Sequence, residues 1–412
     1  MKTRNFMLAT PVTFEQSGTS QNPTNVGQKA LRRTKILIKN RNSSCCLLAN
    51  FLRFLTPSQT EPMTRFTRLI LTIAAAFTLL NVTNADTVTT APVGFENTTV
   101  ASGSVATLCV PMDRIARYQS AVSSRTATTL TTTGAGWATS GDPDTPGQTG
   151  PFGPFSAIPP TNQNPHAVIM LSGNSIGRRF LIDSNTGDTL TITTGGDLTT
   201  LIANGDTYKI IPCHTLASVF GADGAGLNNT NFPSTADNIQ IREAGVWSTY
   251  FHTANPNGFW ARVGSGGSNF NKAPILPEQG FVLVRRPSSN YTFTGLGAVP
   301  ITNLQTDFPA NSVTHFANRF PTATTLDSLG LHTRPGWIHG GSAGSTDNVQ
   351  IRSGGVWQTF FHTSPTGFWA MVGGGAGNFN NQPIAVGEAI LVVRRPGTAI
   401  TLTQTIPYNP FQ

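Results

Sequence analysis

Two serines in this chain have a spacing that could support nucleophilic catalysis. Ser175 lies in Gly173-Asn174-Ser175-Ile176-Gly177 and Ser342 in Gly340-Gly341-Ser342-Ala343-Gly344. A G-x-S-x-G segment exposes a serine nucleophile only where a strand turns sharply into a helix. Ser175 instead precedes the strand-like run Arg178-Arg179-Phe180-Leu181-Ile182, and Ser342 sits among glycines and serines. With 41 glycines in the chain, such matches arise by chance. No phosphate-binding loop, HExxH or Cys-x-x-Cys occurs. Metal chemistry needs three or four converging ligands. His252 recurs as His362 and Asp237 as Asp347, but His315, His332 and His339 have no histidine counterpart. The expectation is therefore histidines with structural roles at strand ends, no metal, no cofactor, no catalytic residues and no enzymatic activity.

Aromatic residues offer a second chemistry, the stacking of sugar rings. Trp247, Tyr250, Phe251, Phe259 and Trp260 recur as Trp357, Phe360, Phe361, Phe368 and Trp369. On a strand, Trp247 and Phe251 would share one face while Tyr250 and His252 take the other. A platform would use Trp247, Trp260, Trp357 and Trp369, with Arg242, Arg352, Asn269 and Asn378 as hydrogen-bonding partners. Large rings mostly fill cores, so packing outranks the platform here. Cys109 and Cys213 are a candidate disulfide, both beside prolines at strand-like positions. Spacing alone leaves that bond and two separate buried thiols equally open.

Charge and export come next. The net charge of +8 is uneven: residues 1–85 hold 11 Lys/Arg and two acids, leaving 16 Lys/Arg against 17 Asp/Glu beyond. The body of the chain is near neutral and shows no basic stripe, which argues against nucleic acid as a partner. Met63-Thr64-Arg65-Phe66-Thr67-Arg68 is a cationic start, Leu69 to Leu80 an apolar run, and Thr83-Asn84-Ala85 a small-residue cleavage signal. Residues 63–85 thus read as a secretory signal peptide cleaved after Ala85. The apolar run falls short of the roughly 20 residues that a membrane span needs, so none is expected after cleavage. Residues 1–62 read as an extension upstream of the true start at Met63, the rival being a genuine N-terminal tail.

The elements that must position these residues are strands. Charged residues are sparse, Thr, Ser, Asn and Gly abundant, and helical periodicity absent after residue 86. The strongest signal is a repeat: residues 238–253 read NIQIREAGVWSTYFHT and residues 348–363 read NVQIRSGGVWQTFFHT. The offset of 110 becomes 109 in the following turn, where the second copy lacks one residue. Phe281-Val282-Leu283-Val284-Arg285-Arg286-Pro287 then aligns with Ile390-Leu391-Val392-Val393-Arg394-Arg395-Pro396. Upstream, Thr215-Leu216-Ala217-Ser218 aligns with Thr325-Leu326-Asp327-Ser328. The fold expected is all-β. An N-terminal barrel- or sandwich-like domain over 86–214 would precede two tandem copies of a β-module, at 215–300 and 301–412.

The signal followed by Ala91-Pro92-Val93-Gly94-Phe95, the run Tyr208-Lys209-Ile210-Ile211-Pro212, and a module with Val-Trp and Phe-Trp ahead of Val-Arg-Arg carry a resemblance. Over residues 86–300 the chain resembles a family of exported β-rich bacterial proteins from verrucomicrobial genomes. The second module is similar to a repetition of that family's C-terminal part. The family has no assigned activity, so the resemblance implies a compartment and a fold style but no catalytic residues. The function expected is a non-catalytic, exported cell-envelope or secreted protein, periplasmic, surface-bound or extracellular, in structure, adhesion or assembly. The alternative is a glycan-binding module. Its partners would be a cell-surface polysaccharide or another envelope protein.

Overall fold

The computed structural model describes residues 92–140, 150–153, 165–193, 196–243, 245–254, 258–276 and 278–409. The expected extension and signal segment, Cys45 and Cys46 lie outside these residues, as does much of the loop expected over 134–165. The fold is all-β, with three short α-helices and one 3-10 turn among the described residues. No helix there is long and apolar enough to cross a membrane.

The first repeat builds a five-stranded antiparallel sheet in the order Trp260–Arg262, Val246–His252, Asn238–Glu243, Phe281–Val284, Val105–Leu108. A hairpin turn at Gly245, whose positive φ suits a residue without Cβ, joins Asn238–Glu243 to Val246–His252. Beside it, Val93–Val100 pairs along its whole length with Tyr291–Ala298. The core between them holds Ile239, Tyr250, Trp260, Phe281, Leu283 and Phe293. The helix Leu216–Phe220, with a Thr215–Ser218 capping box, drops Leu216 and Phe220 into the same core.

The second repeat follows the same registers. Arg242 faces Trp247 as Arg352 faces Trp357, and His252 faces Trp260 as His362 faces Trp369. Its sheet runs Val313–Ala317, Ala389–Val393, Asn348–Ser353, Val356–His362, Trp369–Met371, with Leu304–Phe308 paired to Ile400–Gln404.

The expected boundary at residue 214 does not follow this pairing. Val93–Val100 and Val105–Leu108 belong to the sheets of the first repeat, although they precede the 118–212 region in the chain. Their counterparts in the second repeat are Leu304–Phe308 and Val313–Ala317. Between the two parts of the first repeat stands a seven-stranded antiparallel sheet, from Tyr118–Ala121 through Thr207–Pro212, His166–Met170, Arg179–Asn185 and Thr189–Thr193 to Thr129–Thr131 and Ser124–Arg125. It wraps its own core of Leu130, Trp137, Phe152, Phe180, Ile182 and Tyr208. The short helix Leu198–Leu201, capped by Asp197, adds Leu198 to that core. This region is an insertion in a loop that the second repeat keeps short.

The repeats join edge to edge. Leu108 bridges to Glu388, and Phe316 bridges to Gln279. Leu108 faces Phe281 and Phe316 faces Ile390, an aligned pair, so the two bridges are reciprocal. Matching hydrogen bonds run from Cys109 N to Gly387 O at 3.0 Å and from Ala317 N to Glu278 O at 2.9 Å. The contact therefore uses one surface of each repeat twice, the geometry of a twofold interface within a single chain. At its centre Gly280 lies so close to Ala389, its aligned residue, that an added Cβ would fall 2.2 Å from the alanine Cβ.

Candidate functional site

Each repeat first fixes its own frame with the residues that recur. Asp237 and Asp347 are buried, each tied to an equally buried arginine, Arg285 and Arg394. The second carboxylate oxygen accepts the backbone N–H of Arg286 or Arg395 at 2.6 Å. The first also accepts the N–H of Asn228 or Ile338. The Arg286 and Arg395 side chains donate back to Ala236 O and Thr346 O. This clip explains why Asp-Asn-x-Gln-Ile-Arg and Val-Arg-Arg-Pro repeat together: it locks the last core strand to the turn before the first.

The residues raised by sequence reasoning separate clearly. Ser175 is buried in a turn and donates to Leu201 O at 2.7 Å, while Ser342 pairs with Ser345 in an exposed loop. Asn269 and Asn378 accept the backbone N–H of Asn271 and Asn380, whose side chains in turn accept the N–H of Trp260 and Trp369. They serve their own turns.

The four tryptophans do not form one platform. Trp260 and Trp369 are fully buried core residues. Trp247 and Trp357 are half-buried, and each lies under its own arginine, Arg242 and Arg352, at 5.7 Å. Both turn an edge toward His315, at ring-centroid distances of 5.3 and 6.4 Å. The strand Val246–His252 buries both of its faces at its end. Tyr250 and His252 lie over the main core, while Phe251 is covered by Ala236 and Ala261.

Cys109 and Cys213 are not bonded to each other. Cys213 packs with Ala167, Ile169 and Ile211, whereas Cys109 lies at the junction of the repeats with Ala317 and Ala389. The proline-flanked strands that suggested a pair belong to different sheets. Burial pushes the Cys213 thiol up to about 12 and raises Cys109 well above its ordinary value, so both stay protonated.

Charges concentrate where the insertion meets both repeats. Asp113 lies 3.2 Å from Arg179, 3.2 Å from Lys209 and 3.4 Å from Arg319, all three at its carboxylate. Glu278 adds a contact to Arg179 at 2.9 Å. Burial pushes the Asp113 carboxyl up, but the three cations outweigh it and hold it at about 2. Next to this region, between the repeats, opens a cleft of about 730 Å³ whose lining includes Arg242, Glu278, Gln279, Asn311, Ser312 and His315.

One group was missed by sequence reasoning. In the second repeat, His332 and His362 stack with ring centroids 4.3 Å apart and an interplanar angle of 17°. His339 Nδ1 lies 3.3 Å from His362 Nδ1, and His332 Nε2 lies 3.6 Å from Asp327 Oδ1. Donor atoms of Asp327, His332 and His362 all fall within 4.8 Å of one another. Burial lowers the affinity of all three imidazoles for a proton, so each favours its neutral form. Among the described residues the first repeat has nothing like it. At the offset of 110, Asp327, His332 and His339 correspond to Ala217, Ala222 and Asn229, and His252 Nε2 is bonded to Ala222 O at 3.0 Å. The signal lay in what the aligned repeats do not share.

No family model matches this chain, and neither a curated protein nor a solved structure matches it.

Proposed function

We propose that the chain is an exported, non-catalytic β-protein of the cell envelope or extracellular space, with a structural, adhesive or assembly role. What supports this reading is where its charged and repeated polar residues go. Asp237, Asp347, Arg285 and Arg394 clip strands, and Asp113, Glu278, Arg179 and Arg319 tie the insertion to both repeats. Groups that could do acid–base chemistry thus serve to fasten three sheets into one body. The signal at 63–85 supports export. Mass spectrometry of the N-terminus of the native protein tests the reading, with the expected chain starting at Asp86. A protein that keeps residues 63–85 and stays in the cytoplasm would overturn it.

A second reading, binding of a cell-surface polysaccharide, has its own support in Trp247, Trp357 and the cleft that His315 also lines. One indole from each repeat flanks His315, and Arg242 and His315 line the cleft. Partly exposed indoles beside hydrogen-bonding groups suit sugar rings. A polysaccharide array probed with the full chain separates the readings. Binding that is lost in both Trp247→Ala and Trp357→Ala favours the second, and no binding removes it.

A further inference from the structure

We propose that Asp327, His332 and His362, with His339 against His362, form a site for a divalent transition-metal ion of the zinc class in the second repeat. Three observations carry it.

The first is chemistry. Neutral imidazoles with a carboxylate are a donor set that suits zinc, copper, nickel or iron rather than calcium or magnesium. Zinc is the ion to test first, because these donors match its usual ligands.

The second is geometry. In a tetrahedral zinc site, with bonds near 2.0–2.2 Å, neighbouring donors sit roughly 3.3–3.5 Å apart. The pairs here stand at 3.3 Å (His339 to His362) and 3.6 Å (His332 to Asp327), and 4.8 Å bounds the Asp327, His332 and His362 set. Asp327 is free to close that distance, since its side chain is 46 % exposed. His362 is 1 % exposed, so its ring is held within the fold beside the exposed carboxylate. The Nδ1 atoms of His339 and His362, in contact at 3.3 Å, cannot both carry a proton.

The third is the internal control. His252 stands where His362 stands and is closed off by the Ala222 carbonyl. Around it, alanine, alanine and asparagine occupy the positions of the carboxylate and the two other imidazoles. A histidine needed only for packing requires no such change. Instead, three metal-binding side chains meet around one histidine in one repeat and none of them in the other. Trp369 lies against both His332 and His362, at 5.8 and 5.4 Å, and forms an apolar wall beside the site.

The test uses the full chain without a polyhistidine tag. Zinc and then cobalt are titrated into the wild type, Asp327→Ala and His332→Ala. Both variants install the residue of the first repeat, so the fold tolerates them, and circular dichroism checks that. The expected result is one zinc per chain. Each variant should weaken binding by about a hundredfold or more, beyond the roughly 10–100-fold that losing an outer-shell partner costs. Cobalt should give the visible absorption of a tetrahedral site in the wild type alone. A wild type that binds no zinc, or binds it no more tightly than the two variants, overturns the proposal.

Discussion

The two repeats share a frame and differ in what surrounds it. Both keep the buried Asp–Arg clip, the arginine over tryptophan and the histidine facing tryptophan across paired strands. The first repeat then accepts a whole seven-stranded sheet between two of its strands, while the second gathers Asp327, His332 and His339 around His362. The comparison teaches that residues recurring in both repeats mark what the fold requires. Residues present in only one mark where each repeat has taken on something of its own.

The strongest way to break this comparison is to remove the clip. Asp237→Ala or Asp347→Ala leaves a fully buried arginine without its counter-charge, and such losses cost about 3–5 kcal/mol. Denaturant unfolding should show a similar loss for both, and a near-neutral result for one would end the claim that they do the same work. The next test uses pH. Each repeat carries one buried histidine where the other has threonine: His214 against Thr324, and His315 against Thr107. Burial holds His214 down at about 4 and His315 at about 3, in the latter case with Arg242 adding to the effect. The folded state therefore binds fewer protons than the unfolded chain, whose histidines titrate near 6.5. Stability should fall as pH drops below about 6, by up to about 1.4 kcal/mol per pH unit for each histidine, until their folded values are reached. His214→Thr and His315→Thr should each flatten that slope in unfolding measurements between pH 6 and 4.

Smaller effects sharpen the picture at the junction and in the cores. Gly280→Ala should cost about 1–3 kcal/mol through collision with Ala389. Adding Ala389→Gly should restore part of the loss, because the two positions exchange roles across the twofold contact, and a double-mutant cycle measures it. Last, Trp260 Nε1 donates to Gly221 O at 2.9 Å, while Trp369 Nε1 has no hydrogen-bond partner among the described residues. Trp260→Phe should therefore cost about 1 kcal/mol more than Trp369→Phe when their unfolding midpoints are compared.

The frame was legible in the sequence because it was written twice. Ile239, Ile241 and Tyr250 alternate as a strand over a core should, and Gly245 marked the hairpin. The insertion was not legible. Ser104 to Val110 reads as an ordinary strand, and nothing in a strand's own residues names a partner as distant as Phe281–Val284. The face of each tryptophan was equally hidden. Trp247 and Trp260 have the same character, yet only the strand pairing buries Trp260 and leaves Trp247 half-buried near the hairpin end, opposite Arg242. The cysteines misled because two prolines signalled strand ends without saying which sheets those strands joined. The histidine cluster was missed because His332 and His339, judged singly, had no histidine counterpart, and Asp327 was read only as part of an aligned turn. Their value lies in being absent from the other repeat.

The insertion also sets the order in which contacts become affordable to a growing chain. Phe316 meets Ile390 across a modest stretch, whereas Leu108 must wait for Phe281, more than twice as far along. Each doubling of such a loop adds only about 0.6 kcal/mol of closure entropy, yet long-range pairing slows folding. The seven-stranded sheet offsets its own length, because its first and last strands in chain order, Tyr118–Ala121 and Thr207–Pro212, lie side by side with Tyr118 opposite Ile210. Once that sheet forms, some ninety residues collapse to the width of one strand pair, and the distant edge of the first repeat comes within reach.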